Sequence, residues 1–142
     1  MKAAHLLARL FAALTVLFGL AAAASVIGAA PAGSPSITVY FAKDFNDSAY
    51  QRKAYDRVAG GFRMPAKQPA LGHKAVVVTT ISRDGKLAAA AVTMKSGEEA
   101  WDAAALDAVR RAAPFAPFPP GYAGATTDVH FHFEWTSPPP KR

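Results

Sequence analysis

The stretch Lys74-Ala75-Val76-Val77-Val78-Thr79-Thr80-Ile81-Ser82-Arg83-Asp84-Gly85-Lys86 decides the fold. Val76 to Ile81 are all β-branched, and branched side chains suit a pleated surface better than a helix, so Lys74 to Ser82 reads as a strand. Asp84-Gly85 follows, a dipeptide that accepts the positive φ angles of a tight hairpin turn. A returning strand is expected over Leu87 to Met94. Its composition is ambiguous, because Leu87 to Ala91 is alanine-rich and only Val92, Thr93 and Met94 favour extension. The turn settles the choice in favour of a hairpin.

Beyond the hairpin, Ser96-Gly97-Glu98-Glu99 has the spacing of a capping box, with the Ser96 hydroxyl meeting the Glu99 amide and Glu99 reaching back. A helix then places Trp101, Ala104, Ala105, Ala108, Val109 and Ala112 on one face, with Leu106 on or beside it. Glu99, Ala103, Asp107, Arg110 and Arg111 lie across from that face. Arg110 and Arg111 complement the negative helix end, and Pro114 forbids continuation. Pro114, Pro117, Pro119 and Pro120 keep the next segment extended, with Phe115 and Phe118 pinning it to the core. Thr126 to Trp135 is a half-buried strand: Val129, Phe131, Phe133 and Trp135 face one side, His130, His132 and Glu134 the other.

Upstream of the hairpin, Ile37, Val39 and Phe41 alternate with Thr38 and Tyr40, which predicts a short strand whose place in the fold is not fixed by the pattern. Asn46 or Asp47 is the N-cap of a helix from about Ser48 to Ala59, on which Tyr50, Ala54, Tyr55 and Val58 recur at helical spacing before Gly60-Gly61. Phe62-Arg63-Met64-Pro65 and Pro69 make an irregular crossing segment. Pro31 to Ser36 reads as a linker and residues 137–142 as a Pro-rich tail.

The 142-residue chain is 51% hydrophobic, and the first 32 residues hold a disproportionate share of that. Lys2 and Arg9 precede an apolar run from Leu10 to Leu20, and small residues follow to Ala32, the layout of a secretory signal peptide. Small-x-small exits end at Ala24 and at Ala32, the second being preferred. The rival reading is an uncleaved anchor over Leu10 to Ala30, 21 residues, long enough to span a bilayer with the remainder outside the cytoplasm. Cleavage after Ala32 removes two of the 16 basic residues and none of the 10 acidic ones, leaving +4. That charge is too mild to imply nucleic acid. The chain has no cysteine, which excludes disulfide frameworks, thiol nucleophiles and Cys-ligated metal centres. The sequence divides into a leader (1–32), a linker with a short strand and an amphipathic helix (33–72), a hairpin-helix-strand domain (73–136) and the tail.

Chemistry-bearing groups are few. His130, His132 and Glu134 share one strand face and form a weak metal-ligand candidate with His73 nearby, against the plain reading of a solvent-facing polar stripe that strand alternation demands. Asp84-Gly85 is a turn and not part of a calcium loop, since no further oxygen ligands follow at the required spacing. No nucleophile elbow accompanies the serines and histidines, and Asp102 and Asp107 read as helix-surface and capping charges, so no catalytic residue is assigned. Arg52, Lys53, Arg57, Arg63, Lys67 and Lys74 make the middle basic and read as a solvated face.

Taken in order, the Asp84-Gly85 hairpin, the Lys-Ser96-Gly start, the run Asp102-Ala103-Ala104-Ala105-Leu106-Asp107-Ala108-Val109 and the exit Pro114-Phe115-Ala116-Pro117-Phe118-Pro119 resemble the C-terminal domain of TonB-type energy transducers, with the TolA domain a more distant match. The resemblance covers about His73 to Trp135. It implies a small α+β unit in which a three-stranded antiparallel sheet packs on a helix (β-β-α-β), here with an additional N-terminal strand and helix. It also implies a non-catalytic periplasmic module, without cofactor, that grips a short peptide of an outer-membrane transporter or another envelope protein by strand addition. We expect the long aromatic last strand to be the docking edge, through Val129, His130, Phe131, His132 and Phe133. Pro31 to Asp44 spans at most about 46 Å when extended, too short a tether to cross the periplasm, which favours a free-standing adaptor over a short membrane-anchored transducer. A homodimer stays open, and membrane contact is expected only if the N-terminal helix is retained.

Overall fold

The computed structural model describes residues 33–138, so the leader and the end of the tail lie outside the described residues. The elements are β1 (Ser34–Phe41), α1 (Ser48–Gly61), β2 (Lys74–Ser82), β3 (Leu87–Met94), α2 (Glu99–Ala112) and β4 (Thr126–Thr136). They form an α+β structure with one antiparallel sheet in the order β1-β4-β2-β3. The class is the expected one, but the sheet has four strands and not three. The short N-terminal strand is the fourth. It begins at Ser34 and not Ile37, so Ser34 to Ser36 belong to the sheet and not to a linker.

Every second residue of β2 and β4 supplies the core. Ala75, Val77, Thr79 and Ile81 on β2, and Val129, Phe131, Phe133 and Trp135 on β4, are buried beneath the two helices. Thr79 stays in that apolar layer because its hydroxyl donates to the Val129 carbonyl at 3.0 Å, which removes the cost of an unpaired buried hydroxyl.

Asp47 is the N-cap of α1, its carboxylate accepting from the Tyr50 amide at 2.7 Å, as the side-chain chemistry of Asp at that position favours. The helix runs through Gly60 and Gly61 and buries Tyr50, Ala54 and Val58. Burial pushes the Tyr50 phenol up to about 12, so it remains a donor, to the Ala116 carbonyl at 2.7 Å. Helix α2 buries Trp101, Ala105, Ala108, Val109 and Ala112. Its alanines let α1 come close: a Cβ on Gly61 would stand 3.4 Å from the Ala108 carbonyl. Trp101 is fully buried, with its ring N–H donating to the Phe133 carbonyl at 2.9 Å. Such a side chain contributes about 1.5–3 kcal/mol by burial alone.

The capping box differs from expectation. The N-cap is Glu98, whose carboxylate accepts from the Ala100 amide. Ser96 instead pairs with Asp102, which accepts from both its amide (2.9 Å) and its hydroxyl (2.7 Å). Gly97, at φ 91°, turns the chain so that a carboxylate one turn deeper than Glu99 reaches back to Ser96.

After α2, Phe115 and Phe118 are buried as expected, and the segment is bolted to the hairpin. The Phe115 amide donates to the Gly85 carbonyl at 2.8 Å and the Phe118 amide to the Arg83 carbonyl at 2.9 Å. Gly85 has φ 88°, and a Cβ there would collide with the Phe115 carbonyl.

Candidate strand-docking surface

The expected docking residues are divided between two environments. Val129, Phe131 and Phe133 are completely buried against the helices. His130 is exposed, and His132 and Glu134 are half-buried, on the opposite face of the sheet. The backbone of β4 is paired along both sides, with β1 from Ser34↔Thr136 to Phe41↔Val129 and with β2 from Lys74↔Glu134 to Ser82↔Thr126. β4 is therefore central, and the expectation that it forms the sheet edge is corrected. Alternating side chains report which face of a sheet is buried and carry no information on how many neighbours the strand has.

The open face is built from the outward residues of all four strands, including Thr38, Tyr40, His130 and His132. Tyr40 is 54% exposed and its ring lies 4.7 Å from that of His132. The His132 imidazole is held below its ordinary value of 6.5, first by desolvation and then by the positive charges of Lys74 and His130, with Glu134 opposing. His130, His132 and Glu134 do not converge on a common point. Among the described residues no group of three His, Cys, Asp or Glu side chains is arranged to hold a metal ion. His73 has its Nδ1 3.2 Å from the Ser96 carbonyl.

The remaining motif residues have structural tasks. Asp84 is exposed, bonded by the Ser82 hydroxyl and paired with Lys86 at 3.3 Å, and the Ser82 bond first, then Lys86, lowers its carboxyl. The Ser96–Asp102 pair closes the entry to α2. Val109 is buried, Leu106 half-buried, Phe115 buried, and Pro114 and Pro117 exposed. Of the buried polar side chains, only the Thr127 hydroxyl has no partner among the described residues.

Among the described residues, the fold leaves open the outer edge of β1 and the outer edge of β3. β1 carries Pro35, a residue that occurs in sheets chiefly at edges because it cannot donate to a ladder. β3 is the sequence Leu87-Ala88-Ala89-Ala90-Ala91-Val92-Thr93-Met94. It contains neither Pro nor charge, the devices that usually blunt an edge. Lys86 and Lys95 stand just beyond its two ends. Between its far end and α2 runs a groove of about 530 Å³ lined by Val92, Lys95, Gly97, Glu99, Asp102, Ala103 and Leu106. In the sequence, the alanine run of this strand carries no sign of edge or centre.

A family model described as TonB C terminal matches residues 47–133, more than half of the chain. The chain belongs to the TonB C-terminal family. The match takes in α1, the β2–β3 hairpin, α2 and β4 through Phe133, and it begins after β1 has ended. No curated protein and no solved structure matches the chain. Domains of this family are envelope-associated interaction modules. No helix among the described residues is long and apolar enough to cross a membrane.

Proposed function

We propose that this protein is a non-catalytic binding module of the periplasm that holds an extended segment of an envelope partner as an additional strand on β3. Membership of the TonB C-terminal family supports the class of function. The observation that carries the reading is the edge of β3, eight residues long, unpaired on its outer side among the described residues and free of charge or proline. An incoming strand there gains main-chain hydrogen bonds, and the small alanine side chains leave room for bulky cross-strand partners. An outer-membrane transporter segment is the partner that the family points to.

The test uses a panel of labelled peptides from the periplasm-facing segments of outer-membrane transporters, titrated against the protein and followed by anisotropy. Ala89 and Ala91 are exposed, so Ala89→Lys with Ala91→Lys leaves the core untouched while charging the edge. Capture by the wild type and its loss in the double variant, at unchanged melting temperature, supports the reading; equal capture by both refutes it. Location is tested by N-terminal sequencing of protein from the envelope. A start at Gly33 or Ser25 is expected, whereas an intact Met1 extracted only by detergent favours the membrane-anchored transducer, for which the 21-residue stretch Leu10 to Ala30 is the ground.

A further inference from the structure

The cations of α1 fall into two groups. Arg52 is paired with Asp56 at 3.0 Å. Lys53 and Arg57, one turn apart and therefore neighbours on the helix surface, have no carboxylate partner among the described residues. Both are exposed, and both line a cleft of about 340 Å³ between α1 and the segment that follows α2. Tyr50 and Ala54 form one wall of that cleft and Pro114 to Ala116 the other.

The cleft is held in shape by bonds across it. The Tyr50 hydroxyl donates to the Ala116 carbonyl at 2.7 Å, and the Arg57 Nε–H donates to the Ala112 carbonyl, at the end of α2, at 2.9 Å. Tyr50, Ala54 and Phe115 are themselves buried, so the apolar walls do not depend on mobile side chains. The bond at Nε fixes the Arg57 guanidinium and leaves its two terminal amino groups without a partner among the described residues. Such a planar fork suits a carboxylate, and the Lys53 ammonium adds a second positive charge beside it. Asp56 also lines the cleft and is the one opposing charge there, with Arg52 drawing on its carboxylate.

The volume is that of a small ligand site, but such sites enclose most of their ligand, and two walls do not. A two-walled cleft suits the end of a longer chain whose remainder stays outside. We infer that it binds the carboxyl terminus of a partner polypeptide, with the terminal carboxylate on Lys53 and Arg57 and a large apolar terminal side chain between Tyr50 and the Pro114–Ala116 segment. Helix α1 packs on α2 and β1, and β1 and β3 are opposite edges of the sheet. The site is therefore separate from the β3 edge and does not rest on strand addition.

The probe is a fluorescein-labelled hexapeptide of glycine and serine that ends in phenylalanine with a free carboxylate, titrated against the full chain by anisotropy. Wild type should bind it, and should bind the same peptide at least about tenfold more weakly when its terminus is amidated or its last residue is serine, since each control removes one of the two contacts. Lys53→Gln with Arg57→Gln should abolish binding, and Asp56→Asn, which removes the opposing charge, should tighten it. If the double variant fails to fold, Lys53→Gln alone changes only an exposed side chain and should weaken binding at least about threefold. Equal binding of the acid and the amide, equal binding by wild type and Lys53→Gln, or no binding by wild type overturns the inference. Loss of binding in Ala89→Lys with Ala91→Lys places the probe on β3 and also overturns it, leaving strand addition standing. Capture of this probe together with failure of the transporter peptides refutes strand addition and supports the cleft.

Discussion

Replacing Gly85 by alanine tests the clamp between the hairpin and the segment after α2, with Gly72→Ala as its control. Both glycines have positive φ, 88° and 79°, so each substitution forces an L-residue into the left-handed region at a cost of about 1–2 kcal/mol. Their surroundings differ. A Cβ at Gly72 meets nothing within 4 Å, whereas one at Gly85 runs into the Phe115 carbonyl. The backbone must then separate, and the bonds from the Phe115 amide to Gly85 and from the Phe118 amide to Arg83 are lost or stretched, at about 0.5–1.5 kcal/mol each. Gly85→Ala should therefore cost about 2–5 kcal/mol and Gly72→Ala about 1–2 kcal/mol. Urea unfolding followed by Trp fluorescence reads the difference, which should separate the two midpoints by about 1 M for a slope of about 1–3 kcal/mol/M. Equal losses at the two positions would show that Gly85 is required for its φ alone and that the clamp contributes nothing.

Three further outcomes are expected. Because His132 is held below 6.5 in the folded chain, its contribution is present above pH 6.5 and is lost as pH falls through the lower folded value; thermal melts from pH 7.5 to 5 should show a loss that His132→Gln reduces, and identical profiles would exclude His132 as a source. Thr127→Val removes a buried hydroxyl without a partner and keeps the shape, so it should leave stability unchanged or raise it by up to about 1 kcal/mol; a clear loss in chemical denaturation would mean that the hydroxyl is bonded in solution. Leu106→Asp alters a half-buried position, whereas Ala105→Asp places a carboxylate where the helix is completely buried. The second should abolish the near-UV circular dichroism signal and the first only lower the melting temperature, and the reverse order would contradict the observed face of α2.

Local chemistry was enough for most of the elements. The β-branched block over Lys74 to Ser82 coincides with β2, and Asp84-Gly85 correctly turned the alanine-rich Leu87 to Met94 into a strand against its own propensity. Pro114 marked the end of α2 within two residues. Misreadings arose where a decision depended on residues far apart in sequence. Ser34 and Thr136 pair across about a hundred residues, and nothing in the alternation of Ile37, Val39 and Phe41 names their neighbour. The same gap made β4 look like an edge. At Ser96 the error was shorter in range: the spacing to Glu99 fits a capping box, but the left-handed turn at Gly97 brings Asp102 to the serine first.

The pairing of Ser34 with Thr136 and of Phe41 with Val129 makes the molecule mechanically anisotropic. The chain before β1 and the chain after β4 leave the sheet side by side at one corner. A force applied between those two exits opens the β1–β4 ladder like a zip, one rung at a time, and each rung resists with no more than the roughly 0.5–1.5 kcal/mol of a single hydrogen bond. The same force applied to the chain before β1, but resisted at the opposite end of the sheet by the hairpin at Asp84, slides β1 along β4 and loads all rungs together. Tension along one axis peels the N-terminal strand at low load, and along the other the whole ladder bears it.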